Sequence, residues 1–92
     1  MKINDDELKE KLVHRLKRIE GQVRGVQSMV DDGRQCREIL QQLTAIRSAV
    51  MSVSTIVLEN YMSDCILNLD DKNTQERQEL MDDMIQLISK SA

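Results

Sequence analysis

The sequence predicts an all-α protein, a three-helix protomer whose long second helix pairs with a second copy as an antiparallel helical dimer. Three observations predict it. No Pro occurs among the 92 residues, so nothing breaks long helices by removing a backbone donor and clashing with the preceding turn. One Tyr, with no Phe or Trp, leaves aliphatic side chains and six Met to build the core, which argues against all-β and most α/β folds. Apolar residues recur at steps of three and four, the period of one helix face. A chain this short makes one domain, residues 1–92, with a thin core that buries about 60–65% of the unfolded surface.

The first helix starts at Asn4 or Asp5, with Glu7 three residues after Asn4 as a capping-box partner. Its stripe is Leu8, Leu12, Leu16, Ile19, Val23, Val26 and Val30. Asp31-Asp32-Gly33 ends it, Gly33 serving as a left-handed cap. The second helix starts near Arg34 and meets no breaker until about Asn68; its stripe includes Cys36, Ile39, Leu43, Ile46, Val50, Val53 and Val57. Asp70-Asp71-Lys72-Asn73 reads as a polar turn. The third helix runs from about Thr74 to Ser89, with Asn73 and Glu76 as its cap pair and Leu80, Met84, Leu87 and Ile88 as its apolar face.

A second helix of about 33 residues is roughly 50 Å long, whereas a globule of this mass is about 30 Å across. Its own chain cannot cover it, and the simplest cover is a second copy running antiparallel. Ala45, Ser48, Ala49 and Ser52 near its middle either let two such helices approach closely or are simply good helix formers.

The net charge of −3 is unevenly spread. Lys9, Lys11, Arg15, Lys17, Arg18 and Arg24 face only Glu10 and Glu20 in the first helix, while acids dominate from Glu59 onward. Such a stripe suggests an anionic partner for one face, against the plainer reading of mixed charge that solubilises helices. Charged residues at 32% and a mean hydropathy of −0.45 exclude a transmembrane span, and no signal peptide opens the chain. A cytoplasmic protein with no membrane partner is expected, and two Cys suit a reducing compartment.

Cys36 and Cys65 lie 29 residues apart. At about 100° per residue both face the same way, and at 1.5 Å per residue they are about 43 Å apart on one straight helix. A disulfide needs Cα atoms within about 7 Å, so they cannot meet within that helix. In an antiparallel dimer centred near Val50 or Met51, Cys36 of one chain comes opposite Cys65 of the other. The alternative is two unrelated cysteines acting as small hydrophobes.

Arg15-Leu16-Lys17-Arg18-Ile19-Glu20-Gly21-Gln22-Val23-Arg24-Gly25, and the run Gln41-Gln42-Leu43-Thr44-Ala45-Ile46-Arg47-Ser48-Ala49, resemble signatures of the CsoR/RcnR family of bacterial transcriptional repressors. The resemblance covers essentially the whole chain. It implies a three-helix protomer that dimerises through its second helix, pairs into a homotetramer, lacks a helix-turn-helix and represses by binding double-stranded operator DNA. Copper-sensing members carry a Cys and then a His-x-x-x-Cys late in the long helix. Here the cysteines match Cys36 and Cys65, but the histidine position is Tyr61. Soft Cu(I) is served by thiolate and imidazole, and a neutral phenol is a poor donor. Nickel-, cobalt- and formaldehyde-sensing members also use His there. Two cysteines without the histidine resemble the persulfide-sensing, CstR-like branch, which implies no cofactor and low-molecular-weight persulfides or polysulfides as inducers. Two-coordinate Cu(I) between Cys36 and the partner's Cys65 stays open as the metal alternative.

Other donors are weaker. His14 lies with Lys11, Arg15, Arg18 and Gln22 within about 100° of arc, which directs it to solvent or phosphate rather than to a metal. Tyr61 fills the space of an imidazole and shields the thiol. Met29, Met51 and Met62 show no close Met-x-Met spacing and read as core filler. The basic face supplies the DNA reading: Lys11, His14, Arg15, Arg18 and Gln22 together, Lys17 and Arg24 from the far side of the stripe, and Arg47 from the second motif.

In the sulfur mechanism a Cys36 thiolate attacks and Cys65 of the partner resolves. Arg34 and Arg37 flank Cys36 at the electropositive start of a helix, a setting that suits a thiolate, whereas Cys65 adjoins Asp64 near a helix end. No Ser/His/Asp set, paired carboxylates or phosphate loop points to an enzyme. A purely structural coiled coil is the third class, and it entails neither DNA binding nor thiol reactivity.

Overall fold

The computed structural model describes residues 2–67 and 72–91. Three helices follow one another, α1 (Asp6–Asp31), α2 (Cys36–Leu67) and α3 (Thr74–Ser91), with no strand among the described residues. They form two compact units: Asn4–Val53 is one, and Ser54–Ala92 with Met1–Ile3 is the other, so each unit takes about half of α2. Among the described residues no helix is long and apolar enough to cross a membrane.

Of the two candidate caps for α1, Asp5 takes the role. Its carboxylate accepts from the N–H groups of Glu7 at 3.0 Å and Leu8 at 3.5 Å, leaving the Asn4–Glu7 pairing unused. At the other end Gly33 adopts φ 69°. Its N–H reaches Val30 O at 3.2 Å and that of Arg34 reaches Met29 O at 3.0 Å, the paired bonds of a Schellman turn. This turn consumes the Arg34 amide, so α2 starts at Cys36 and not at Arg34; Ile39 N–H then donates to Gln35 O at 3.2 Å. The predicted end near Asn68, and Asp70-Asp71 of the predicted turn, lie outside the described residues. Asn73 caps α3 as predicted, its Oδ1 accepting from Glu76 N–H at 2.8 Å. That helix continues to Ser91, two residues past the predicted Ser89.

In the first unit α1 and the start of α2 pack antiparallel. Ile19 shares a groove with Ala49, Val26 shares another with Leu43 and Ile46, and Arg15 reaches Ser52. Leu12, Ile19 and Val26, one every seven residues, are the buried members of the α1 stripe. The interleaved row is left open: Leu16 is 46%, Val23 42% and Val30 60% exposed. Half of the predicted stripe therefore packs within the unit. In the second unit Cys65 is buried, while Met81, Ile85 and Ile88 form an exposed apolar row on α3.

Candidate functional site

Neither cysteine is in a disulfide, and they stand near opposite ends of α2. Cys36 is its first residue and is exposed. Of the two flanking guanidiniums, Arg34 is engaged elsewhere: its Nε donates to Glu38 Oε2 at 2.8 Å. Arg37 is exposed. Cys65 is only 2% exposed, an unusual degree of cover for a protomer with so few buried side chains.

Tyr61 lies one turn before Cys65, and side chains four apart stack on one helix face. Its hydroxyl donates to Asp83 Oδ2 of α3 at 2.6 Å. This bond holds the phenol well above the ordinary tyrosine range; burial and the neighbouring Cys65 sulfur act in the same direction. Tyr61 is therefore a neutral donor already committed to a carboxylate, which makes it a poor metal ligand. Among the described residues of one protomer, no three His, Cys, Asp or Glu side chains gather as a metal-ligating cluster. The thiol donors that remain in α2 are those of Cys36 and Cys65, and sulfur donors of this kind fit a soft ion such as Cu(I).

The basic face opens onto a groove of about 870 Å³ in the first unit. It is lined by Glu7, Glu10, Lys11, His14, Arg15, Arg18, Ile19, Gln22 and Ala49. Five residues expected to touch DNA are thus brought together: Lys11, His14, Arg15, Arg18 and Gln22. The carboxylates of Glu7 and Glu10 sit at the N-terminal end, so the positive charge of the groove lies toward Arg18. Arg15 is half-buried, and its Nη1 donates to Ser52 Oγ at 3.0 Å. It ties α1 to α2 as well as adding charge. Lys17 and Arg24 are exposed beside other grooves of α1, and Arg47 is exposed on α2.

Two polar interactions are not evident from the sequence. Asp83 reads there as one acid among many, yet it falls three residues after Leu80 and four before Leu87, at the rim of the apolar face of α3. That position is the one signal that could have found it. Ser52, a small residue suited to close helix approach, is also the acceptor for Arg15.

A small helical protein with a basic groove and a buried thiol matches known regulators over most of its length. Residues 8–90 match the model of the metal-sensitive transcriptional repressors. The chain belongs to that family, a family of repressors and not of enzymes. It is 45% identical over 58 residues to the copper-sensing transcriptional repressor CsoR of Bacillus subtilis, covering 63% of this chain and 57% of the relative. It is 38% identical over 58 residues to the copper-sensing repressor RicR of Mycobacterium tuberculosis, covering 63% of this chain and 60% of that one. The matches thus span under two thirds of these two relatives. Among solved structures, the copper-sensing repressor CsoR with Cu(I) from Geobacillus thermodenitrificans superposes with a TM-score of 0.78 at 41% identity, covering 96% of this chain and 94% of that one. The nickel-responsive regulator InrS gives 0.76 at 32% identity, covering 90% and 91%.

Proposed function

We propose that this protein is a cytoplasmic transcriptional repressor, assembled as a homodimer or homotetramer, that holds operator DNA through the basic face of α1. It lets go when Cys36 of one protomer and Cys65 of another are bridged. The observation that carries the reading is the placement of two thiols, one exposed and one enclosed, near opposite ends of the same helix. The copper-sensing relatives support Cu(I) as the bridging agent. The two thiolates would hold the ion, which would supply a short soft-ligand link between protomers. Tyr61 adds no third donor, because its hydroxyl is held neutral by Asp83.

That same observation favours a second reading, in which the inducer is a persulfide. The Cys36 thiolate attacks the outer sulfur of a low-molecular-weight persulfide, RSSH. It becomes a cysteine persulfide and releases RS⁻. The partner's Cys65 thiolate then attacks the sulfur bonded to the Cys36 side chain. A disulfide forms between the chains, and HS⁻ leaves with the outer sulfur.

Intact mass spectrometry, with operator binding measured in parallel, separates the readings. The protein is exposed in turn to Cu(I), glutathione persulfide, oxidised glutathione and hydrogen peroxide. A metal adduct without a covalent cross-link, accompanied by DNA release, is the outcome for copper. Tyr61→His should then tighten Cu(I) by restoring an imidazole. A covalent dimer formed with persulfide, accompanied by DNA release, is the outcome for sulfur. Cys36→Ala should stay on DNA under every treatment, and a Cys36→Ala protein that still responds would overturn the thiol switch in both forms.

A further inference from the structure

Cys65 is enclosed to 2% although neighbouring α2 side chains such as Ile66 and Leu67 are 63% and 76% exposed. Burial this local needs a local cause. Helix side chains lean toward the N-terminus, so Cys65 points back over the turn that carries Tyr61. A phenol on a helix surface ordinarily changes rotamer within nanoseconds. This one is tethered from across the helix pair, because the carboxylate of Asp83 on α3 accepts its hydroxyl hydrogen at 2.6 Å, a short charge-assisted bond. Within the protomer Cys36 has no comparable cover: it is exposed at the start of α2, and the nearby Arg34 is held by Glu38.

We propose that Asp83 is a positioning residue for sensing: by holding the Tyr61 hydroxyl it fixes the ring against Cys65 and makes Cys36 the thiol that an inducer meets first. The proposal rests on the reading of Cys36 and Cys65 as the sensing pair. The tether itself lies within the α2–α3 unit and works by access, so its effect grows with the size of the incoming reagent. It orders the two thiols, exposed first and enclosed second, for any inducer that must engage both.

The test uses the reduced full-length protein, without DNA or inducer. Methyl methanethiosulfonate serves as a small thiol reagent and a fluorescein maleimide as a bulky one, and modification of each cysteine is followed by peptide-resolved mass spectrometry. In wild type, Cys36 should react at least about tenfold faster than Cys65, with the wider gap for the bulky reagent. Tyr61→Phe keeps the ring and loses the tether; Asp83→Ala removes the acceptor. Each should speed Cys65 several-fold, most with the maleimide, and leave Cys36 unchanged. The double variant should be no faster than the single ones, because all break the same bond. Asp83→Asn keeps an acceptor oxygen and should fall between. Circular dichroism reports whether α3 stays folded in each variant.

A wild-type Cys65 as reactive as Cys36, or a Cys65 rate that neither single variant changes, would overturn the proposal. Equal acceleration of both cysteines would do so too, since that is general loosening. Failure here leaves the repressor reading intact, and a protein that fails to bind operator leaves these rates interpretable.

Discussion

The hydroxyl of Tyr61 carries one donor hydrogen, and its engagement with Asp83 gives the residue a pH signature. The folded-state value is raised above the ordinary one of about 10, so the proton binds more tightly in the fold than in the unfolded chain. The stability this contributes is complete below about pH 10 and fades as pH climbs through the higher folded value. Tyr61 is the sole Tyr and there is no Trp, so tyrosinate absorbance reports this group alone. Wild type should show no tyrosinate at about pH 10 while it remains folded, and Asp83→Ala should titrate nearer the ordinary value. A folded wild type half-ionised near that pH would show that the bond is not kept in solution. The basic face is also decided residue by residue. Arg18 is exposed, whereas Arg15 is half-buried on Ser52. Arg18→Ala should weaken operator binding and flatten its salt dependence by about 0.9 in slope for each phosphate no longer neutralised, at unchanged thermal stability. Arg15→Ala should lose both affinity and some stability. Equal behaviour of the two variants in salt titrations and melting would place Arg15 outside the fold's own interactions. The face is legible in the sequence because charges at helical spacing define an arc. The inward turn of Arg15 is not, because Ser52 lies 37 residues away and only packing brings it near.

Helix ends are the most legible elements, since each is set by local chemistry: a carboxylate at Asp5, the positive φ at Gly33, and an amide at Asn73. The later start of α2 has an equally local cause in the Schellman turn, which takes the Arg34 N–H before the second helix begins. Two other glycines carry the clearest prediction at this scale. Gly21 and Gly25 sit inside α1, where Gly costs about 0.5–1 kcal/mol relative to Ala. Among the described residues, nothing beyond the local backbone of α1 and the adjacent residues lies within 4 Å of a Cβ added at either position, so internal packing does not require them. Around the helix, Gly25 lies about 20° from Arg18 and Gly21 about 60° from it, on the side away from Gln22. If operator DNA lies along that arc, small residues there allow close backbone approach. Gly25→Ala should then raise the melting temperature and weaken DNA binding together. A variant that is stabilised and binds DNA with unchanged affinity would mean that α1 does not approach the duplex at this turn.

Across the whole molecule, the described residues include four buried hydrophobic side chains, Leu12, Ile19, Val26 and Cys65, against fifteen large hydrophobics left exposed. Single exposed apolar residues are ordinary, but rows of them at helical spacing make a continuous strip, the usual mark of an interface. The sequence already implies that need, because a helix of 32 residues outreaches a globule of this mass. Which row stays open is not legible there. Leu12, Ile19, Val26 and Leu16, Val23, Val30 share one spacing and one residue class, and only the position of α2 separates them. The two rows should therefore respond oppositely to substitution. Ile19→Ala removes packing inside the α1–α2 unit and should cost about 2–5 kcal/mol in any state of association. Leu16→Glu changes a side chain that is 46% exposed, so a protomer should tolerate it, while a carboxylate buried without a partner would disfavour assembly. Sedimentation velocity at several concentrations, read beside circular dichroism, checks both. Wild type should remain associated at micromolar concentration when fully reduced, and Leu16→Glu should shift to smaller species with its helices retained at high concentration. If Leu16→Glu assembles like wild type, the row formed by Leu16, Val23 and Val30 faces solvent in the assembly, and association rests on α2 and α3.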